Sequence, residues 1–271
     1  MQGGLMSGIS VHMIVKNEDS WVWFALNSVL GLADQVFITD TGSSDKTIQV
    51  IESIASPKIT LSRIQASSPK DLTRARIEQI QRTQTEWFWV LDGDEVYTDR
   101  GVQEIAKAVK ASYHGIAVRR YDLLGDIYHR QRESVGQYQL LGQRGHLVTR
   151  LVRKSAFPSL HLVHPYPLEA YVDQEGRVIH SYNQDKWYIT SNHLYHAMYL
   201  KRSSLGSNLP MFNRNKYKVE TGISITTSPP EVFSLTRPQF VPDPLSRRTL
   251  GYELAASIIT PIKDLKRFLY T

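Results

Sequence analysis

Asp92, Gly93 and Asp94 carry the densest chemical signal in the chain, because side chains two apart along an extended segment point the same way and the glycine between them lets backbone or ligand approach closely. Two carboxylates held together repel unless a proton or cation intervenes. Oxygen ligands suit a hard divalent ion such as Mg2+ or Mn2+, and Mg2+ sites combine one or two carboxylates with substrate phosphates. The acidic turn therefore reads as half of a metal–diphosphate site. The plainer alternative is a turn that only caps the next helix.

The elements that must position this turn follow from hydrophobic periodicity. Residues 9–15 (ISVHMIV), 36–39, 58–63 and 87–91 (WFWVL) have strand length and composition. Between them lie helical patterns. Val22, Leu26, Val29 and Leu30 follow Asn17 as a candidate N-cap, and Ile48, Ile51, Ile54 and Ala55 follow Ser44. Ser68-Pro69-Lys70-Asp71 reads as a capping box that opens a helix to about Thr83, and Asp99 as the cap of a helix with Val102, Ile105, Ala106 and Val109 inward.

Repeated strand–helix–strand units predict an α/β fold: a Rossmann-like, mostly parallel central sheet flanked by helices. Ligands of such sheets bind outside the carboxyl ends of the strands, which is where Lys16, Asn17, Glu18, Asp40, Asp92 and Asp94 fall.

Further on, residues 115–121 and 147–152 read as strands, the second ending near Arg150 and Arg153. Histidines and aromatics then accumulate, and a helix over residues 192–202 would set His196 beside Tyr199 and Leu200. Five prolines between 228 and 244 mark an irregular connector, and residues 245–269 a terminal helix or two, interrupted at Pro261. The resulting division is 1–125 for the strand–helix half that carries the acidic turn, 126–227 for a less regular half, and 228–271 for the connector and terminal helix.

Composition narrows the chemistry. The 271 residues contain no cysteine, which excludes disulfides, thiolate zinc sites and a cysteine nucleophile. An excess of 32 Lys and Arg over 26 Asp and Glu, net +6, suits an anionic ligand, polymer or membrane surface. No apolar run is long enough to span a membrane, so the expected location is cytoplasmic, with peripheral membrane contact as the alternative.

The blocks IVKNED (14–19), VFITDTGSSDKT (36–47), ARIEQI (75–80) and WFWVLDGDE (87–95), in this order and spacing, resemble the family 2 glycosyltransferases, which have the GT-A fold. The resemblance implies a nucleoside-diphosphate sugar as donor, a UDP-sugar foremost, Mn2+ or Mg2+ as cofactor, and inverting transfer to an acceptor hydroxyl on a glycan, lipid-linked sugar or protein. Asp40 matches the carboxylate that bonds the nucleotide base, and Val15 and Glu18 match positions lining the nucleoside pocket. Asp92 and Asp94 match the DxD motif, the first near the ribose and the second on the metal. Arg76 matches the Arg of an Ala-Arg-Asn block, although Ile77 replaces the Asn.

Where many relatives carry a His-Glu pair, this chain has His164-Pro165, which leaves Glu169 and then Asp173 as candidates for the general base. His196 is the candidate histidine to complete the metal shell. Two other functions compete. Basic clusters such as Arg119-Arg120 and Arg247-Arg248 fit transfer to a nucleic-acid acceptor, a less favoured reading. The missing His-Glu pair fits a non-catalytic sugar-nucleotide-binding protein.

Overall fold

The computed structural model describes residues 5–205 and 218–270. Its strands are β1 (Met6–Val15), β2 (Gln35–Asp40), β3 (Ile59–Arg63), β4 (Thr85–Val90), β5 (Glu95–Val96), β6 (Gly115–Leu124), β7 (Asp126–Arg130), β8 (Tyr138–Leu140), β9 (Gln143–Gly145), β10 (Leu147–Arg153), β11 (His161–Val163), β12 (Ala170–Val172), β13 (Trp187–His196) and β14 (Ile223–Ser224). The helices are α1 (Val22–Val29), α2 (Thr47–Glu52), α3 (Pro69–Arg82), α4 (Asp99–Ala108) and α5 (Leu250–Tyr270).

Ten strands form one sheet in the order β14-β7-β6-β10-β4-β1-β2-β3, with β13 pairing both β5 and β6. β4, β1, β2 and β3 run parallel, as the alternating pattern requires. Beyond β4 the sheet is mixed: β10 is antiparallel to β4 and β6, while β13 is parallel to β6. The expected α/β fold is present, with its regular parallel half first.

The larger of two buried clusters runs from Val11 and Met13 on β1 to Val232, Phe233 and Val241 of the proline-rich connector, which is thereby packed into the domain, and the smaller gathers around Phe88, Phe157 and Trp187.

Several local expectations are corrected. Asn17 does not cap α1; its backbone is left-handed (φ 52°) and its Oδ1 accepts from the Ser44 amide at 2.9 Å, tying the first strand–helix loop to the second. At α2 it is Asp45, not Ser44, whose carboxylate takes the Thr47 amide. Thr98 Oγ1, not Asp99, accepts from the Gly101 amide to cap α4. The capping box of α3 is as read, with Asp71 Oδ2 accepting from the Ser68 amide at 2.9 Å.

Residues 187–196 are strand β13, not helix: paired with β6 and β5, they gain a full ladder that an isolated helix could not match. α5 continues through Pro261 without interruption.

Candidate active site

β1 and β4 end side by side, and Gly93 in the turn after β4 joins their ends. A Cβ at Gly93 would lie 3.1 Å from Glu18 Cγ and 3.3 Å from Val15 Cγ2, so the turn packs directly on the β1–α1 loop. In front of this corner lies a cavity of about 430 Å3 lined by Glu18, Arg76, Asp92, Gly93, Asp94, Arg120, Arg150, Glu169, Tyr171, His196 and Arg202, among others. Six of the nine site residues expected from sequence therefore face one space. Val15, Asp40 and Asp173 do not line it.

The two carboxylates of the acidic turn have separate partners. Asp92 Oδ2 accepts from Arg150 Nη2 at 2.6 Å, and Arg150 Nε also donates to the fully buried Glu95 at 3.1 Å. The antiparallel register that sets Leu151 opposite Trp89 is what carries Arg150 to this corner. Burial pushes Asp92 up, but Arg150, with Arg76 and His196 behind it, prevails and holds its carboxyl well below the usual range. For Glu95 burial outweighs Arg150, and its pKa is raised. Burial would lower Arg150, yet Asp92 and Glu95 keep it firmly charged.

Asp94, only 2% exposed, faces a cation and an imidazole: Arg202 Nε lies 3.3 Å and His196 Nε2 3.6 Å from its Oδ2. His196 sits on β13 directly opposite Asp122 on β6. Its Nδ1 donates to Asp122 Oδ1 at 2.8 Å, since a carboxylate only accepts, and this turns Nε2 toward Asp94. Burial works against a charged His196, but Asp94 and the bond to Asp122 outweigh it and raise its pKa. Asp122 also meets His146 Nδ1 at 3.1 Å and Arg120 Nε at 3.0 Å; against its burial, these partners hold its carboxyl far below the usual range.

Asp94 and His196 fit a divalent ion as two of its ligands, because ligands each about 2.0–2.2 Å from one ion stand at such a separation. Asp122 supplies the outer carboxylate that metal-bound histidines usually have. Among the described residues no group of three or more His, Asp or Glu side chains forms a metal shell. An ion held by these two side chains would need substrate oxygens or water at its other positions. Asp92, expected near the ribose and beside the metal, lines the same cavity, its side chain 41% exposed while paired with Arg150.

Opposite the acidic corner, Glu169 Oε2 lies 3.6 Å from Arg76 Nε, with both side chains nearly buried. Among the described residues Glu169 Oε1 has no hydrogen-bond partner. A buried carboxylate oxygen without a donor is costly, and in a cavity wall it suits a ligand hydroxyl. Arg76 stays charged despite burial, through Tyr171, Glu169 and Asp92.

Asp173 lies apart from these groups. Arg177 donates to it from both backbone and Nε at 2.9 Å, which closes a local turn. Asp40 likewise accepts from the Gly42 amide at 3.1 Å and from Ser43, beside Val15 in the β1–β2 register. Glu18 lines the cavity with its carboxylate engaged by Arg202, whose Nε donates at 2.9 Å.

Arg150, Asp122 and Arg202 had no assigned role in the sequence reading, and Arg120 entered it only as part of a basic cluster. A signal existed for two of them: Arg120 and Asp122 stand two apart inside an apolar strand and so share a face. Nothing local distinguishes Arg150.

A charged cavity at the carboxyl ends of the strands is where proteins of the α/β class bind their ligands. Residues 10–172 match the sequence model of glycosyl transferase family 2, and the chain belongs to that family. Over 50 residues it is 42% identical to an uncharacterized glycosyltransferase of Rickettsia bellii (strain RML369-C), a stretch covering 18% of this chain and 17% of that protein. The S. aureus TarS structure aligns with 71% of this chain and 37% of TarS, at 12% identity and a TM-score of 0.49. TarS 1-349 in complex with UDP-GlcNAc aligns with 69% of this chain and 58% of that one, at 15% identity and a TM-score of 0.48. Glucosyl-3-phosphoglycerate synthase from Mycobacterium tuberculosis, in complex with Mn2+, UDP and phosphoglyceric acid, aligns with 42% of this chain and 43% of that one, at 14% identity and a TM-score of 0.32. Each likeness is partial and distant.

Proposed function

We propose that this glycosyltransferase moves a sugar from a nucleoside-diphosphate sugar, a UDP-sugar foremost, to an acceptor hydroxyl by direct, inverting displacement. The observation that carries the reading is the convergence of Asp92, Asp94, Arg76, Glu169 and His196 on one cavity, with Arg150 and Arg202 beside the acidic pair. The nucleoside lies against the ends of β1 and β2, where Val15, Glu18 and Asp40 are neighbours, and the diphosphate lies toward the arginines. Asp94 and His196 would hold Mn2+ or Mg2+, and an ion bound there would supply Lewis-acid stabilisation to the departing diphosphate.

Glu169 is the general base. Its Oε1 accepts the acceptor's hydroxyl proton as that oxygen bonds to the anomeric carbon and the carbon–oxygen bond to the diphosphate breaks. The proton ends on Glu169, and the nucleoside diphosphate leaves with the electron pair. Arg76 keeps Glu169 aimed into the cavity. Acceptors of the glycan, lipid-linked or protein kind all present the required hydroxyl.

The test is release of nucleoside diphosphate from UDP-sugars with Mn2+, for the wild type and Glu169→Gln. Transfer that falls about a hundredfold or more, with donor binding retained in a thermal-shift titration, supports Glu169 as base. Unchanged turnover in Glu169→Gln removes it from that role, and no donor binding by the wild type overturns the whole reading.

A further inference from the structure

The terminal helix α5 is mounted the wrong way round for a surface helix, which ordinarily turns its apolar stripe to the core. Leu250, Leu254, Ile258, Ile262, Leu265, Phe268 and Leu269 are 60–83% exposed and recur every three or four residues, so they form one continuous face. The side docked on the domain is largely polar. Asp264 pairs with Arg132, Arg267 with Glu220 at 2.7 Å, and Arg248 with Glu253 at 2.7 Å, while only Ala256 and Thr260 are buried at the contact. The apolar stripe is thus not packed against the sheet domain.

We infer that this face lies in the plane of an anionic lipid surface. Its rim decides between occupants. Among the side chains of α5 and those ion-paired with it, the ones open to solvent are the cations Arg132, Lys263, Lys266 and Arg267 against the carboxylates Glu253 and Asp264, whereas Arg248 and Glu220 are buried. A second copy of the same face would bring two net-positive rims together, whereas an anionic headgroup layer complements them. Twenty-one residues give a helix of about 31 Å. No helix among the described residues is long and apolar enough to cross a membrane. The geometry is that of an in-plane amphipathic helix, its apolar side chains among acyl chains and Lys266 at the edge.

The experiment is sedimentation of the full chain with vesicles of phosphatidylcholine alone or with about one third phosphatidylglycerol, at low and high salt. The expected result is pelleting with the anionic vesicles, several-fold weaker on neutral ones and at high salt, and at least about tenfold weaker for the triple variant Leu254→Gln/Ile258→Gln/Ile262→Gln. These side chains are exposed, so the variant's thermal melt should match the wild type and separate loss of binding from loss of fold. Equal pelleting of variant and wild type, or none by the wild type, overturns the inference. So does a dimer in analytical ultracentrifugation that the triple variant dissolves while vesicles pellet neither protein.

Discussion

The Asp40 corner and the Asp92–Asp94 corner both set carboxylates at the carboxyl ends of parallel strands, yet they are held in opposite ways. Asp40 is satisfied by Gly42 and Ser43, within its own turn. Asp92 depends on Arg150, 58 residues on, and Asp94 faces Arg202 and His196 still further along the chain. The first corner is a local motif that any copy of its turn would make. The second is assembled only when β10 pairs with β4 and β13 pairs with β6. The lesson is that the carboxylates of the acidic turn take their partners from the second half of the chain, whereas Asp40 takes its own from its turn.

Removing a member of the assembled corner should have the largest effect. Asp94→Ala is expected to lower nucleoside-diphosphate release by roughly 10²–10³-fold, through loss of charge stabilisation at the leaving group. The measurement is turnover with saturating donor and Mn2+, and a loss under threefold would take Asp94 out of the chemistry. Arg150→Met should instead strike the fold. Glu95 is fully buried and would lose its cation, at a cost of about 3–5 kcal/mol in urea unfolding. A cost below about 1 kcal/mol would mean that the long-range pairing is structurally idle.

His12 separates the site from the scaffold beneath it. It is fully buried on β1 against Phe88, and its pKa is lowered to about 3, foremost by burial and then by Arg76 and Lys154. As pH falls below 6.5 the unfolded chain takes up a proton that the folded chain refuses until about pH 3, so wild-type stability declines through that window. His12→Phe removes this pH dependence. The stability difference between the two proteins is expected to shift in the variant's favour by about 3 kcal/mol between pH 7 and pH 4. Parallel pH profiles from denaturant melts would show that His12 is charged within the fold.

The smallest structural effect belongs to the local corner. Asp40→Asn keeps an acceptor oxygen for the turn and should cost about 1 kcal/mol. Donor affinity by thermal shift should fall about tenfold if the proposed contact with the nucleotide base holds. An unchanged affinity would leave Asp40 with its turn alone.

Much of the first half was legible because its signals are local. The β-branched run of β1, the aromatic run of β4 and the capping box of α3 each lie within a few residues, and all three are present. Misreadings arose where partners are distant. The segment 192–202 has helical spacing, but β6 offered it a ladder, and His196 reaches Asp94 from the end of a strand. Ser44 and Asp99 had the chemistry of caps; the backbone path gave those places to Asp45 and Thr98. Glu169 stood ahead of Asp173 as candidate base, but nothing local to either acid told where its side chain would point. The fold sets Glu169 in the cavity wall and binds Asp173 to Arg177.

Read alone, the order of residues was enough to define a parallel strand–helix scaffold, the acidic turn at its edge and the family to which they belong, since periodicity and turn chemistry are properties of neighbouring residues. Which cation neutralises which acid, which nitrogen of His196 faces Asp94, and which side of α5 meets solvent were decided by the folded chain. Those outcomes depend on strand register and on contacts between segments far apart in sequence, where a displacement of one residue would turn every side chain to the opposite face.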